Sequence, residues 1–174
     1  MEIVTNISII LLLVVVIVQD LYYRRISAWL IPALFVGFLF RGMTVVGASA
    51  FFSDALFNLG FVAVQLGLMW LYFILKNRRW INIVDTFIGL GDLLFFIVLC
   101  TAFSPVNFIF FFISALICSL FSAFLYDRFV KRMQREVPLA GIMASVLIVT
   151  LISCSFLSLG LYDDSYLLNY FLNV

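Results

Sequence analysis

The sequence predicts an all-α polytopic membrane protein, a single transmembrane domain over residues 1–174 with about six hydrophobic helices. Three observations carry this expectation. First, 66% of the residues are hydrophobic and only 11% are charged, against roughly 25% charged in soluble domains, which leaves too few polar side chains to cover a chain of this size in water. Second, the apolar residues fall into six runs. Third, the basic residues gather in the short segments between alternate pairs of runs.

A helix needs about 20 residues to cross the hydrocarbon core, and fewer where its ends sit among headgroups. The first span is expected at Ile3–Val18. Glu2 is the only charged side chain before Asp20, so a basic signal-peptide start is lacking, and no small-x-small cleavage site follows. This run therefore reads as a retained span. The second, Ile26–Phe40, is the shortest. The third is Ala55–Leu75, with Asp54 just before it as an expected N-cap or interfacial residue. The fourth and fifth are Ile83–Phe103 and Val106–Tyr126, joined by a tight turn at Ser104-Pro105. The sixth is Pro138–Leu161. The connecting segments are too short to hold a soluble domain.

Nine of the ten basic residues occupy loops one, three and five: Arg24 and Arg25; Lys76, Arg78 and Arg79; and Arg128, Lys131, Arg132 and Arg135. Only Arg41 falls elsewhere. The positive-inside rule puts those three loops in the cytoplasm and both termini outside it. Glu2, Asp54, Asp163 and Asp164 then lie on the outer side.

Composition also excludes whole classes of chemistry. With no His in the chain, Ser-His and Cys-His nucleophile pairs and His-based metal sites are ruled out. Cys100, Cys118 and Cys154 are isolated within apolar runs, without C-x-x-C spacing, and read as small packing residues. A net charge of +1 gives no electrostatic pull toward nucleic acid. No metal or other cofactor is implied.

Most of the acidic residues have unremarkable positions. Asp127 and Glu136 sit among the basic residues of loop five, and Asp163 and Asp164 belong to the outer tail. Asp20 and Asp92 differ. Asp20 closes a continuous apolar run, and Asp92 lies inside the apolar stretch from Thr86 to Cys100. An ionisable group at such depth costs about 2.5–3.5 kcal/mol even on a lenient insertion scale. It persists when paired, when facing a wet cavity, or when used. Spans one and four run in opposite directions, so both carboxylates are expected at similar depth near the cytoplasmic face. Two carboxyl groups brought close do not both ionise; one keeps a proton while the other accepts one from water. Asp92 ends the run Gly89-Leu90-Gly91-Asp92, whose two glycines would let a neighbouring helix or a substrate backbone approach. A plain helix-packing pair of glycines with an incidental Asp is the bland alternative. Asp85, about two turns before Asp92, is the rival second carboxylate, although a helix N-cap before Thr86 accounts for it.

These residues resemble the type IV prepilin peptidases, the GxGD aspartic peptidases of the cytoplasmic membrane. Three segments carry the resemblance. Asp20-Leu-Tyr-Tyr-Arg-Arg-Ile26-Ser-Ala-Trp29-Leu30 is similar to the family's first catalytic motif, an Asp followed by basic residues and Ile-Pro-Asn. Gly89-Leu-Gly-Asp92 matches the second. Val137-Pro-Leu-Ala-Gly-Ile-Met-Ala144 is similar to the proline-led opening of the last helix. Ser27 and Ala28 stand where the family usually has Pro and Asn, Leu93 and Leu94 where many members place a lysine soon after the motif, and Gly141 where a second proline is usual. The resemblance implies catalysis by Asp20 and Asp92, with Gly89, Gly91 and Pro138 shaping the active site. It implies prepilin or pseudopilin substrates with an N-terminal hydrophobic helix, cut in the service of type IV pilus assembly or protein secretion. The few residues between the first two spans leave no room for the methyltransferase region that many members carry, so the expected form is peptidase-only. Membrane lipid is the other implied partner, and self-association into a homo-oligomer stays open.

Two alternatives accompany this reading. Presenilin-like enzymes share the GxGD pattern but have more spans and a Tyr-Asp motif before it, whereas Tyr126-Asp127 comes after it here. A small transporter or membrane assembly factor would use the same carboxylates to bind a proton or cation, yet the chain lacks the internal repeat such transporters often show.

Overall fold

A computed structural model describes residues 2–23, 26–78, 89–129, 139–157 and 159–166, with the side chains of 2–3 and 126–129 left out of the description. Arg24, Arg25, Asp85, Pro138 and most of the basic residues of loop five lie outside it. The described residues form six α-helices and no strand: α1 (Glu2–Tyr23), α2 (Leu30–Val46), α3 (Ala48–Asn77), α4 (Leu90–Leu99), α5 (Pro105–Phe129) and α6 (Leu139–Leu157). Four of them, α1, α3, α5 and α6, are long and apolar enough to cross a membrane.

Side-chain spacing explains the packing. On α1, Ile9, Leu13, Val16 and Asp20 are buried and recur every three or four residues, so they form one inward stripe. On α2 the stripe is Leu30, Leu34, Phe38 and Gly42. On α6 it is Ala140, Gly141, Met143, Ala144, Leu147 and Leu151, with small residues first. These stripes bring α1 against α6 and α2, and α6 also against α5 and α4. The outer faces are equally apolar: Leu11, Val18, Leu56, Leu68, Ile117, Leu120 and Phe156 are all exposed. A surface of that kind suits lipid, where a polar coat is not needed.

The structure revises several expected boundaries. Helix α2 continues to Val46 and α3 already begins at Ala48, so the stretch expected to link the second and third apolar runs is almost wholly helical. Gly47 alone separates them, with φ of 82° and ψ of 161°, a region that L side chains rarely adopt. Asp54 consequently lies inside α3 rather than capping it. Cys118 is exposed on α5, while Cys100 is buried; the first faces outward instead of packing inside.

The largest revision concerns the fourth span. Gly89 is extended and the helix after it ends at Leu99 rather than at Phe103, so α4 is about 15 Å long against a hydrocarbon core of about 30 Å; the expected start of the span, residues 83–88, lies outside the described residues. The irregular turn that follows, Cys100 to Ser104, is buried throughout. Backbone polar groups without water need internal partners, and distant residues supply them. Asn58 Nδ2 donates to the carbonyls of Cys100 at 3.0 Å and Phe103 at 2.9 Å. Tyr162 Oη donates to that of Thr101 at 2.9 Å, and the Ser104 amide donates to the Leu161 carbonyl at 3.1 Å. Residues 159–166 thus fold back over the turn, with Leu161 and Tyr162 buried.

Pro105 opens α5, consistent with the expected turn at Ser104-Pro105, and suits a first helical position because its missing N–H has no partner to lose. The next two amides, of Val106 and Asn107, donate to the Asp164 carboxylate at 3.3 and 3.1 Å. The Ser104 hydroxyl donates to it as well, at 2.5 Å. An aspartate read from sequence only as part of the outer tail is therefore the cap of α5.

Candidate active site at the start of the sixth helix

Free backbone amides at the start of a helix have no partner within it. At the start of α6 those amides meet two carboxylates from two other helices. The Gly141 amide donates to Asp20 Oδ2 at 2.6 Å, and the Ala140 amide donates to Asp92 Oδ1 at 3.1 Å. Consecutive Cα atoms are about 3.8 Å apart, so acceptors on successive amides are neighbours. The positive end of the α6 dipole faces both acids.

Each carboxylate is delivered by its own helix. Asp20 continues the inward stripe of α1 and is only 7% exposed. The residue before it fastens the chain that follows: Gln19 Oε1 accepts the Ser27 amide at 2.8 Å. Asp92 lies in the first turn of α4, after Gly89 in an extended conformation (φ −65°, ψ 144°). Ile26 packs beside the α4 start, where a Cβ added to Gly91 would meet it at 3.5 Å. Tyr22, Tyr23 and Trp29 are exposed around this end of the bundle.

The glycines of the site behave unequally. A Cβ at Gly89 would meet only Asp92 Oδ2, at 3.5 Å, and one at Gly91 only the Ile26 side chain. Both are ordinary contact distances. Among the described residues no helix backbone presses on either. The close approach occurs instead at Gly141, where a Cβ would lie 3.0 Å from Asp20 Oδ2 and 3.3 Å from its Cβ. From the sequence, Gly141 was visible only as a substituted proline; its closeness to Asp20, 121 residues away in the chain, has no local signature.

Simple helix capping takes one acceptor from a residue next to the helix. Here two acids converge on the same helix end from elsewhere in the fold, each at the insertion cost of an ionisable group among apolar neighbours. Capping alone does not call for that arrangement. Two adjacent carboxyl groups that share protons can act as an acid and a base on one substrate. In comparisons with known proteins the chain matches no family model, no curated protein and no solved structure.

Proposed function

We propose that this chain is an aspartic endopeptidase of the cytoplasmic membrane that removes the leader peptide of type IV prepilin-like proteins. The observation that carries the reading is the pairing of Asp20 and Asp92 on consecutive amides of α6. In this reading all six helices are embedded, with both termini outside and the basic loops in the cytoplasm. The pair then lies just inside the cytoplasmic interface, which exposed Tyr22, Tyr23 and Trp29 would mark as aromatic residues commonly do.

The ionised carboxylate takes a proton from water as its oxygen attacks the scissile carbonyl carbon. The protonated carboxyl donates its proton to the carbonyl oxygen. Collapse of the tetrahedral intermediate returns a proton to the leaving nitrogen and breaks the C–N bond, which restores one shared proton. No metal or cofactor enters. Gly89 and Gly91 leave room for an extended substrate backbone beside Asp92, and Pro138, the residue before α6 in sequence, is the further shaping residue that the resemblance implies. Substrates are prepilins or pseudopilins, whose hydrophobic helix lies in the bilayer and presents the leader junction at this depth.

The test is reconstitution. Purified protein in liposomes, mixed with a full-length prepilin, is expected to release the leader. Proton or cation flux without cleavage of any prepilin would favour the transporter reading instead.

A further inference from the structure

We infer that Gly141 is a positioning residue for Asp20, through an amide that donates to the carboxylate and a missing side chain that leaves it room. The inference rests on the reading of Asp20 as a catalytic carboxylate, and it adds a residue that the reading does not require.

Glycine at this position lacks a backbone reason. Gly141 is the third residue of α6, and Gly47 is the only glycine among the described residues with a positive φ. Glycine inside a helix is less favourable than alanine by roughly 0.5–1 kcal/mol. Its explanation lies in space. A Cβ there would stand 3.0 Å from Asp20 Oδ2, 3.3 Å from its Cβ and 3.6 Å from its Cγ, so the whole acidic side chain lies along the glycine. Neither partner can yield easily. Asp20 belongs to the stripe of α1 whose Leu13 and Val16 are fully buried. Gly141 is followed by Met143, Ala144 and Leu147, also fully buried, and its own carbonyl accepts the Ser145 hydroxyl at 2.8 Å.

The 2.6 Å hydrogen bond therefore has a fixed donor and a fixed acceptor arm. It orients one particular oxygen of Asp20, Oδ2, toward the start of α6. Asp92 gets a longer bond from Ala140, at 3.1 Å, and is less buried. The pair is thus asymmetric: Asp20 is the clamped member, and Gly141 is the clamp. Proline could not take this part, since it has no N–H.

Gly141→Ala keeps the amide and adds the Cβ, so it pushes the carboxylate away without deleting the donor. The added Cβ asks the carboxylate to give by a few tenths of an ångström, and since a displacement of about 1 Å at a reacting group costs roughly 100-fold, this smaller one lowers the rate by roughly threefold to tenfold. Prepilin cleavage by purified Gly141→Ala is accordingly expected to show a kcat lower by about that factor, with KM and membrane abundance close to wild type. A merely structural role would lower abundance and leave the kcat of the folded fraction unchanged. A second measurement is independent of activity. In a background lacking the three native cysteines, Asp20→Cys with Gly141→Cys is expected to cross-link under mild oxidation, because the two Cβ positions, 3.3 Å apart, need to part only slightly to reach the roughly 3.5–4.5 Å of a disulfide. Asp20→Cys with Ala144→Cys, one turn deeper, serves as the control. Failure of the first pair to cross-link, or wild-type kcat in Gly141→Ala, overturns the inference. Cross-linking in a protein whose wild type cleaves no prepilin overturns the peptidase reading while leaving the Gly141–Asp20 relationship in place.

Discussion

Asp20 and Asp92 are held side by side by one helix end, Asp20 on the amide of Gly141 and Asp92 on the amide of Ala140. Asparagine can accept the same hydrogen bonds and is a good helix cap, but it cannot exchange a proton at neutral pH. Asp20→Asn and Asp92→Asn should each abolish leader removal from a co-expressed prepilin while still accumulating in the membrane. The double variant should be no worse than either single one, since residues acting as a unit are not additive. Normal processing by Asp92→Asn would end the dyad reading. Loss confined to Asp85→Asn would move the second carboxylate to that position.

Sidedness can be read with cysteine labelling. Asn77, exposed at the end of α3, and Ser165, exposed in the tail beyond α6, are expected on opposite faces of the membrane. A cysteine at position 77 should react with an impermeant thiol reagent only after the inner face is opened. One at position 165 should react in intact cells. The reverse pattern would invert the topology and put the carboxylate pair at the outer face.

Asn58 offers a test in which hydrophobicity and hydrogen bonding oppose each other. Asn58→Leu makes α3 more apolar, which favours insertion, and its Oδ1 has no hydrogen-bond partner to lose among the described residues. The change nevertheless removes the donor to two buried carbonyls in the turn after α4, at about 1–3 kcal/mol for a buried group left unsatisfied. Thermal unfolding in detergent should show a lower midpoint for this variant.

The cap of α5 gives a graded prediction. Asp164→Ala removes the acceptor used by Ser104, Val106 and Asn107 and should destabilise by about 0.5–2 kcal/mol. Asp164→Asn should recover much of that loss, because it keeps one acceptor oxygen. Both lie at the opposite end of α6 from Asp20, so the kcat of the folded fraction should not change.

Gly42 is the tightest glycine of the fold. A Cβ there would run into the ring of Phe51, which is only 2% exposed, and stand 3.1 Å from the Tyr162 hydroxyl. Gly42→Ala should destabilise by about 1–3 kcal/mol through overpacking, against the usual benefit of alanine in a helix. Unfolding in detergent, compared with Gly60→Ala, where the added methyl meets nothing within 4 Å, separates the two effects.

The sequence by itself determined the membrane character of the chain, the number and order of its apolar runs, and the two acids that stand out. Each of these is a property of single residues summed along a window: transfer out of water favours an apolar run, and a carboxylate within such a run is costly wherever the chain goes. The tertiary structure alone decided how helices end and what touches what. It ended the fourth helix at Leu99 and brought Asn58, Tyr162 and Asp164 to the turn and helix start that follow. It left Gly47 as the whole connection between α2 and α3. It also moved the close approach from the glycines beside Asp92 to Gly141. The physical reason is that hydrogen-bond satisfaction and steric clearance are properties of pairs. The partner of the Gly141 amide lies 121 residues away, and no pattern local to either residue specifies that they meet.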